Sequence, residues 1–421
     1  MKQINMLRVN GVKHENQRSC CSSSNVFIAG AAEGKRMFKA GRVPLIVTLW
    51  LVCVALSQGE ELITDDWQVT LQEARGQTVY FHGWGGSTEA NRYLRWAAQE
   101  IQQQYGVRLQ HVRLGDVSES VALVRQEMVN NQARSAVDLI WVNGKNFHAL
   151  KDVGALLGEL SARVPNAALL DPEQPFTEDF GVPTDDYELP WGMAQFHLWI
   201  KNEELQEDGA VTPRSLLEYA QRNPGRITYP KPPEFHGTTF LKQLLLALSG
   251  DDPRLQAPIT DEARSELFEL LFTYLDTLHP YAWRQGQAFP NSAAEQQRLM
   301  LDGRLSMAPN FNPAALTGLQ ARGQVSNHVR QTSFGATAIT NHHFLAIPKA
   351  SVNQAGALVV LNFLLSEDAQ RQKADPQIWG DPPVIKFSES KDVVGMPFPP
   401  APEPHVTWHD ALESAWRARY E

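Results

Sequence analysis

Six consecutive residues, Gly83-Trp84-Gly85-Gly86-Ser87-Thr88, combine the groups that hold a small molecule without reacting with it. Glycines let a backbone approach a ligand closely, and a helix that opens at Ser87-Thr88-Glu89 offers free N–H groups and the positive end of its dipole. Ser87 and Thr88 add hydroxyls, and Trp84 adds a flat face for stacking. The loop contains no Gly-Lys-Ser/Thr, which argues against a nucleotide P-loop, and no Gly-x-Gly-x-x-Gly, which argues against a dinucleotide fold. The plainer reading of the same residues is a tight strand-to-helix turn with a cap.

Four further segments repeat parts of this chemistry. Trp141-Val142-Asn143-Gly144, followed by Lys145-Asn146-Phe147, supplies amides that donate and accept at once. Lys145 reads either as an anion partner or as a solvated charge, and Asn143-Gly144 also reads as a turn. Pro190-Trp191-Gly192-Met193-Ala194-Gln195 places Trp191 at a junction, facing a cleft or packed beneath a loop. His236-Gly237-Thr238-Thr239 sets a glycine and two hydroxyls, Thr238 and Thr239, at a helix start, where a simple N-cap is the alternative. Pro309-Asn310-Phe311-Asn312 ends a short strand, with Asn310 as the candidate contact.

Residues suited to catalysis or metal binding do not assemble. His342 and His343 are neighbours on a strand and point to opposite faces, so they do not share one ion. His405 and His409 have helical spacing but no third ligand in view. The nine tyrosines are scattered, which disfavours a tyrosine-based iron site. Asp185-Asp186 and Asp251-Asp252 read as solvated loop charges. The expectation is no catalytic residue, no metal and no cofactor.

Positioning those loops requires a sheet. Residues 78–81 read as a buried strand, 87–105 as a helix ended by Gly106, 107–114 as a strand, 117–131 as an amphipathic helix and 137–142 as a third strand. This alternation implies a parallel sheet covered on both faces. Strand-to-helix loops at its carboxyl ends are where open α/β folds bind ligands. A strand at 196–200 leaves this block. Helices at 213–222, 237–249, 261–278 and 291–302 and a short strand at 305–308 build a second one. A strand centred on 344–347 returns, and helices at 354–373 and 407–419 finish the chain. The expectation is an α/β protein with lobes at 58–193 and 194–338, two crossing hinge strands, and residues 339–421 returning to the first lobe with the C-terminal helices.

The N-terminus reads as an export signal. Val43 to Leu56 is an apolar run behind Lys35, Arg36, Lys39 and Arg42, followed by Ala55-Leu56-Ser57. It is shorter than the ~20 residues of a membrane span, although an uncleaved anchor is the alternative. Met37 sits where an initiator belongs, so residues 1–36 read as an over-extended start and 1–57 as extension plus signal peptide. Val52 before Cys53 argues against a lipoprotein. All three cysteines (Cys20, Cys21, Cys53) fall in this stretch, so the mature chain has no disulfide or thiolate nucleophile. Removing its eight Lys/Arg and two Asp/Glu leaves 30 basic against 45 acidic residues and moves the net charge from −9 to −15. That balance disfavours nucleic acid as a partner.

From about residue 60 onward, the Gly-Trp-Gly-Gly-Ser-Thr loop, the Val137–Phe147 segment and Pro190-Trp191-Gly192 resemble the YnjB-type ABC-transporter solute-binding proteins. Their fold is similar to that of type II periplasmic binding proteins, among them thiamine, polyamine and ferric-iron binders. The resemblance implies a Venus-flytrap clamp in the periplasm, without enzymatic activity, that docks on an inner-membrane permease with its cytoplasmic ATPase. A monomer is expected. Trp84, Gly85, Gly86, Ser87, Thr88, Asn143 and Trp191 would face Thr238, Thr239 and Asn310 across the cleft. Two helix N-termini and three tryptophans suggest an anionic, ring-bearing solute, with a thiamine-like compound as one candidate. The competing readings are a secreted carboxylate-dependent enzyme and a ligand-sensing subunit on the same fold.

Overall fold

The apolar residues of Thr78–Trp84 alternate inward and outward, which is what a strand between two helical layers requires. In the computed structural model, which describes residues 58–387 and 395–421, this strand is β1. It pairs in parallel with β2 (Arg108–Leu114) on one side and β3 (Leu139–Val142) on the other. The extension and export signal read from residues 1–57 lie outside the described residues. No described helix is long and apolar enough to cross a membrane.

After α1 (Gln58–Ala74), two helices make the crossovers: α2 (Thr88–Tyr105) and α3 (Ser118–Val129). α2 starts where Ser87 Oγ accepts from the Ala90 N–H and stops at Gly106, whose φ of 70° suits glycine. Between these ends it buries Tyr93, Leu94, Ala97 and Ile101. α4 (Lys145–Asp152) follows β3 directly, so the ends of β1 and β3 both lead into helix starts.

Two strands then interrupt the parallel order. β4 (Leu189–Gln195) pairs with β8 (Ala338–Ala346), and β8 lies antiparallel beside β3. With β9 (Pro400–Pro402) on the far edge, the sheet order is β9-β8-β3-β1-β2, with β4 also pairing β8. A second sheet is antiparallel, with β5 (His197–Ile200) between β6 (Met307–Asn310) and β7 (Arg330–Thr332). Helices α5 (Pro213–Arg222), α6 (Phe235–Ser249), α7 (Asp261–Leu278), α8 (Ala293–Leu301) and α9 (Ala315–Ala321) complete that half. The sequence expectation for α5 and α7 matches their bounds, because each opens at a threonine N-cap.

Each half has its own core. Phe81, Leu94, Trp191 and Val360 are buried in the first, and Phe196, Leu244, Leu271 and Trp416 in the second. β4 runs into β5 through Phe196, and β8 carries Ile339 in the second core and Leu345 in the first. These are the two crossing strands of a two-lobed fold. At their meeting point Gln195, fully buried, donates to Thr340 Oγ1 at 2.8 Å.

The C-terminal region departs from the expected return. The stretch 354–373 divides into α10 (Gln354–Leu364) and α11 (Glu367–Ala374), because Ser366 caps a new helix at Ala369. The last helix, α12 (Val406–Tyr420), packs on the second core, not the first. Trp408, Leu412 and Trp416 recur every fourth residue, so one face enters that core beside Phe268 and Phe289.

Candidate functional site

The parallel register aligns Phe81 with Leu139 and His82 with Ile140. Continued two residues, it sets Trp84 level with Val142, so Trp84 and Asn143 stand on the same carboxyl rim. The glycines of the first loop make room for the protein's own side chains. A methyl group on Gly86 would come within 2.4 Å of the Trp84 ring, and one on Gly85 within 2.5 Å of Arg113 Cβ. The indole therefore folds back over its own loop, with 38% of the residue still exposed. Ser87 is spent on capping α2, whereas Thr88 is exposed at its first position. Among the described residues, the Thr88 hydroxyl, the Asn143 amide and the Trp84 indole N–H have no hydrogen-bond partner.

The remaining predicted contacts are committed elsewhere. Trp191 is fully buried among Phe81, Tyr93, Trp141 and Trp379, with its ring 4.9 Å from that of Trp141. Its neighbour Gly192 leaves space for a buried ion pair: a Cβ there would come 2.2 Å from Asp381 Oδ2, which Lys373 holds at 2.5 Å. Thr239 donates to the Phe235 carbonyl inside α6, and Thr238 donates to Glu413 at 2.9 Å. Gly237 is needed against the Pro230 carbonyl, 2.1 Å from where its Cβ would stand. Asn310 accepts from the Asn312 N–H at 2.7 Å, and its amide NH₂ stays available.

The start of α6 is not open to an anion either. Glu234, the N-cap of α6, accepts from Gly237 N at 3.0 Å and from Ala293 N, at the head of α8, at 3.4 Å. It also pairs with His236 at 2.9 Å. Burial alone would raise its pKa, but His236 and the two N–H groups outweigh it and hold the carboxylate below its ordinary range. At α4 the Gly144 N–H donates to Asp179, and ahead of α3 the Ser118 N–H donates to Asp116. Of the two helix starts that the sequence offered an anionic group, that of α6 is taken by Glu234, whereas that of α2 is capped by the Ser87 hydroxyl with Glu89 in its first turn.

One cluster brings distant segments together. His409, Asp410 and Glu413 place a nitrogen and two carboxylates within 4.8 Å of one another, and the cation they meet is Lys145, 3.3 Å from Glu413 and 3.5 Å from Asp410. Burial works to raise Glu413, yet His409, Lys145 and Thr238 bring it to about 2. Burial and Lys242 hold His409 below its ordinary value, so at neutral pH it donates to Glu413 as a neutral imidazole. His342 and His343 do lie on opposite faces: His342 touches the Phe176 ring, and His343 bonds Asp381.

The family description "Bacterial extracellular solute-binding protein" matches residues 96–396. Protein YnjB of Escherichia coli (strain K12) is 41% identical over 365 residues, covering 84% of this chain and 94% of YnjB. The chain belongs to the bacterial extracellular solute-binding protein family.

Solved structures agree on the fold of this binding protein. The periplasmic binding protein AfuA from Actinobacillus pleuropneumoniae, solved with fructose-6-phosphate, has a TM-score of 0.58 at 14% identity, covering 82% of this chain and 98% of AfuA. An ABC transporter from Clostridium perfringens gives 0.56 at 16% identity, covering 81% and 98%. The spermidine/putrescine substrate-binding protein PotD from Streptococcus pneumoniae gives 0.52 at 14%, covering 72% and 84%. The fold is therefore the two-lobed type II architecture of ABC-importer binding components, and the family is one of binding proteins, not enzymes.

Sequence reasoning missed the second-lobe wall of this binding protein. Phe311 packs against Phe235 with its ring tilted and against His236 edge to face, each 5.2 Å away, and its carbonyl accepts from the Gln195 N–H at 3.0 Å. His236 and Phe311 stood inside segments already marked, but nothing in their spacing showed that they would meet.

Proposed function

We propose that this chain is the exported, periplasmic binding subunit of an ABC importer, a monomer that captures a small polar organic solute and delivers it to an inner-membrane permease with its ATPase. The solute stacks on Trp84 and is oriented by the Thr88 hydroxyl and the Asn143 amide from the first lobe. Phe311, His236 and the free amide of Asn310 close over it from the second. The observation carrying this reading is the division among the ten predicted contacts: the uncommitted polar groups lie chiefly on the carboxyl rim of β1 and β3, where such sheets bind ligands.

Because Glu234 fills the start of α6 and Glu89 stands in the first turn of α2, the solute carries no net negative charge. The test is a thermal-shift screen of the exported protein with matched ring compounds bearing an amine, a neutral hydroxyl, a carboxylate or a phosphate. Amine or neutral members raise the melting temperature, and the compound is recovered unchanged. Tightest binding by a phosphorylated or carboxylated member would reverse the charge assignment, and recovery of a modified product would end the transport reading.

A further inference from the structure

The helices that follow the two rim loops of the first lobe, α2 and α4, each carry in their first turn a charge that reaches the second lobe. Glu89 follows Ser87-Thr88 and meets Arg322, at the end of α9, at 3.1 Å. Lys145 lies two residues after Asn143 and meets Glu413, on α12, at 3.3 Å. We infer that Glu89–Arg322 and Lys145–Glu413 act as a two-point charge key that draws the lobes together in one register and sets the solute loops in their closed positions.

The polarity supports this. The first lobe presents a carboxylate at one point and an ammonium at the other, so a closure slipped sideways leaves both charges unmatched. Each acid also keeps a partner within its own lobe. Glu413 retains Thr238 and His409, and Glu89 accepts from the Ser87 hydroxyl at 3.4 Å. Opening therefore does not strand a buried bare carboxylate, and the key releases without a large penalty. Neutral contacts lie near the first point. Asn312 donates to the Trp379 carbonyl at 2.8 Å, and Gly380 lets Ala314 approach so closely that a Cβ at Gly380 would stand 2.2 Å from it. The Glu89 and Arg322 side chains are each about 30% exposed, as is Lys145 at 35%, which leaves the pairs within reach of salt.

The inference rests on the two-lobed fold and holds whatever the solute is. Its test exploits the confinement of native cysteines to positions 20, 21 and 53. Cysteines introduced at exposed Gln104 and Glu269 report the inter-lobe distance by paired spin labels in the unliganded exported protein. Lys145→Met and Arg322→Gln each raise the open-to-closed ratio about two- to fivefold, the range expected for partly exposed pairs. Exchanging the charges, Glu89→Arg with Arg322→Glu, restores the wild-type distribution. Raising the salt from 0.05 to 0.5 M opens the wild type and leaves Lys145→Met/Arg322→Gln unchanged. Circular dichroism confirms that each variant is folded, and Lys145→Met alone decides if Arg322→Gln does not fold. The same distances and salt response in the variants as in the wild type would overturn the key.

Discussion

Gln195 and Phe398 bind each other as strand partners do: the Phe398 N–H donates to Gln195 Oε1 at 3.0 Å, and Gln195 Nε2 donates to the Phe398 carbonyl at 2.9 Å. A side-chain amide thus replaces a length of backbone. It ties the third passage of the chain between lobes to the first, while Thr340 ties in the second. All three passages are pinned at one buried residue. Gln195→Leu removes these bonds and leaves the partner groups unsatisfied, which costs about 2–4 kcal/mol. Urea denaturation measures it, and a loss below about 0.5 kcal/mol would show that the amide is not the pin.

Trp84 and Trp191 part company under substitution. Trp84→Ala leaves the melting temperature within about 2 °C, since an exposed ring contributes little to a core, and it weakens solute binding at least about tenfold. Trp191→Ala removes a fully buried ring and destabilises the fold by about 3–5 kcal/mol. The paired measurements are calorimetric melting and binding isotherms. Equal effects on both readouts for the two variants would refute the assignment of Trp84 to the solute.

Asn143→Ala and Thr88→Val weaken binding with little change in stability, because neither side chain has a partner to lose among the described residues. Thr238→Val does the reverse: it takes a donor from Glu413 and lowers stability by about 1–2 kcal/mol. Titration calorimetry alongside melting separates the two classes. Strong loss of affinity from Thr238→Val alone would move the site deeper.

The pH dependence contains two opposite contributions. Glu413 is held near 2 against an ordinary 4.5, so its contribution is complete above pH 4.5 and is lost as pH falls toward 2. Burial, the dominant cause, lifts Asp179 from 3.8 to about 8, although the Gly144 N–H pulls it down. Its native form keeps a proton that the unfolded chain gives up, so stability falls as pH rises from about 4 to 8. Asp179→Asn flattens that decline, and urea midpoints at pH 5 and 8 reveal it. An unchanged slope would place the proton elsewhere.

The sequence carried the parts of the fold that depend on near neighbours. α7 begins at Thr260 with two acidic residues behind it, and α2 ends at Gly106, so caps and periodicity marked their bounds. The rim loop was legible because glycine, indole and hydroxyl stood side by side. Thr238 and Thr239 misled because a hydroxyl in a helix's first turn looks the same whether it faces a cleft or a neighbouring helix. Only the placement of α12, 175 residues on, turned Thr238 toward Glu413. The glycines were right as markers of close approach and wrong as to what approaches. Glu234 sits beside the His236-Gly237 segment, yet its capture of two helix starts depends on α8 arriving from 59 residues away.

The docking of α12 on the second core has a temporal consequence. A ribosome completes the 194–338 segment long before it makes Trp408, Leu412 and Trp416, so the second core stays unfinished until the last residues emerge. The first lobe likewise waits for Leu345 and Val360. Neither half can mature during synthesis, and contacts this distant in sequence form slowly. Under the proposed export, such lateness would keep the chain threadable, and loss of the final turns would leave a protein unable to settle.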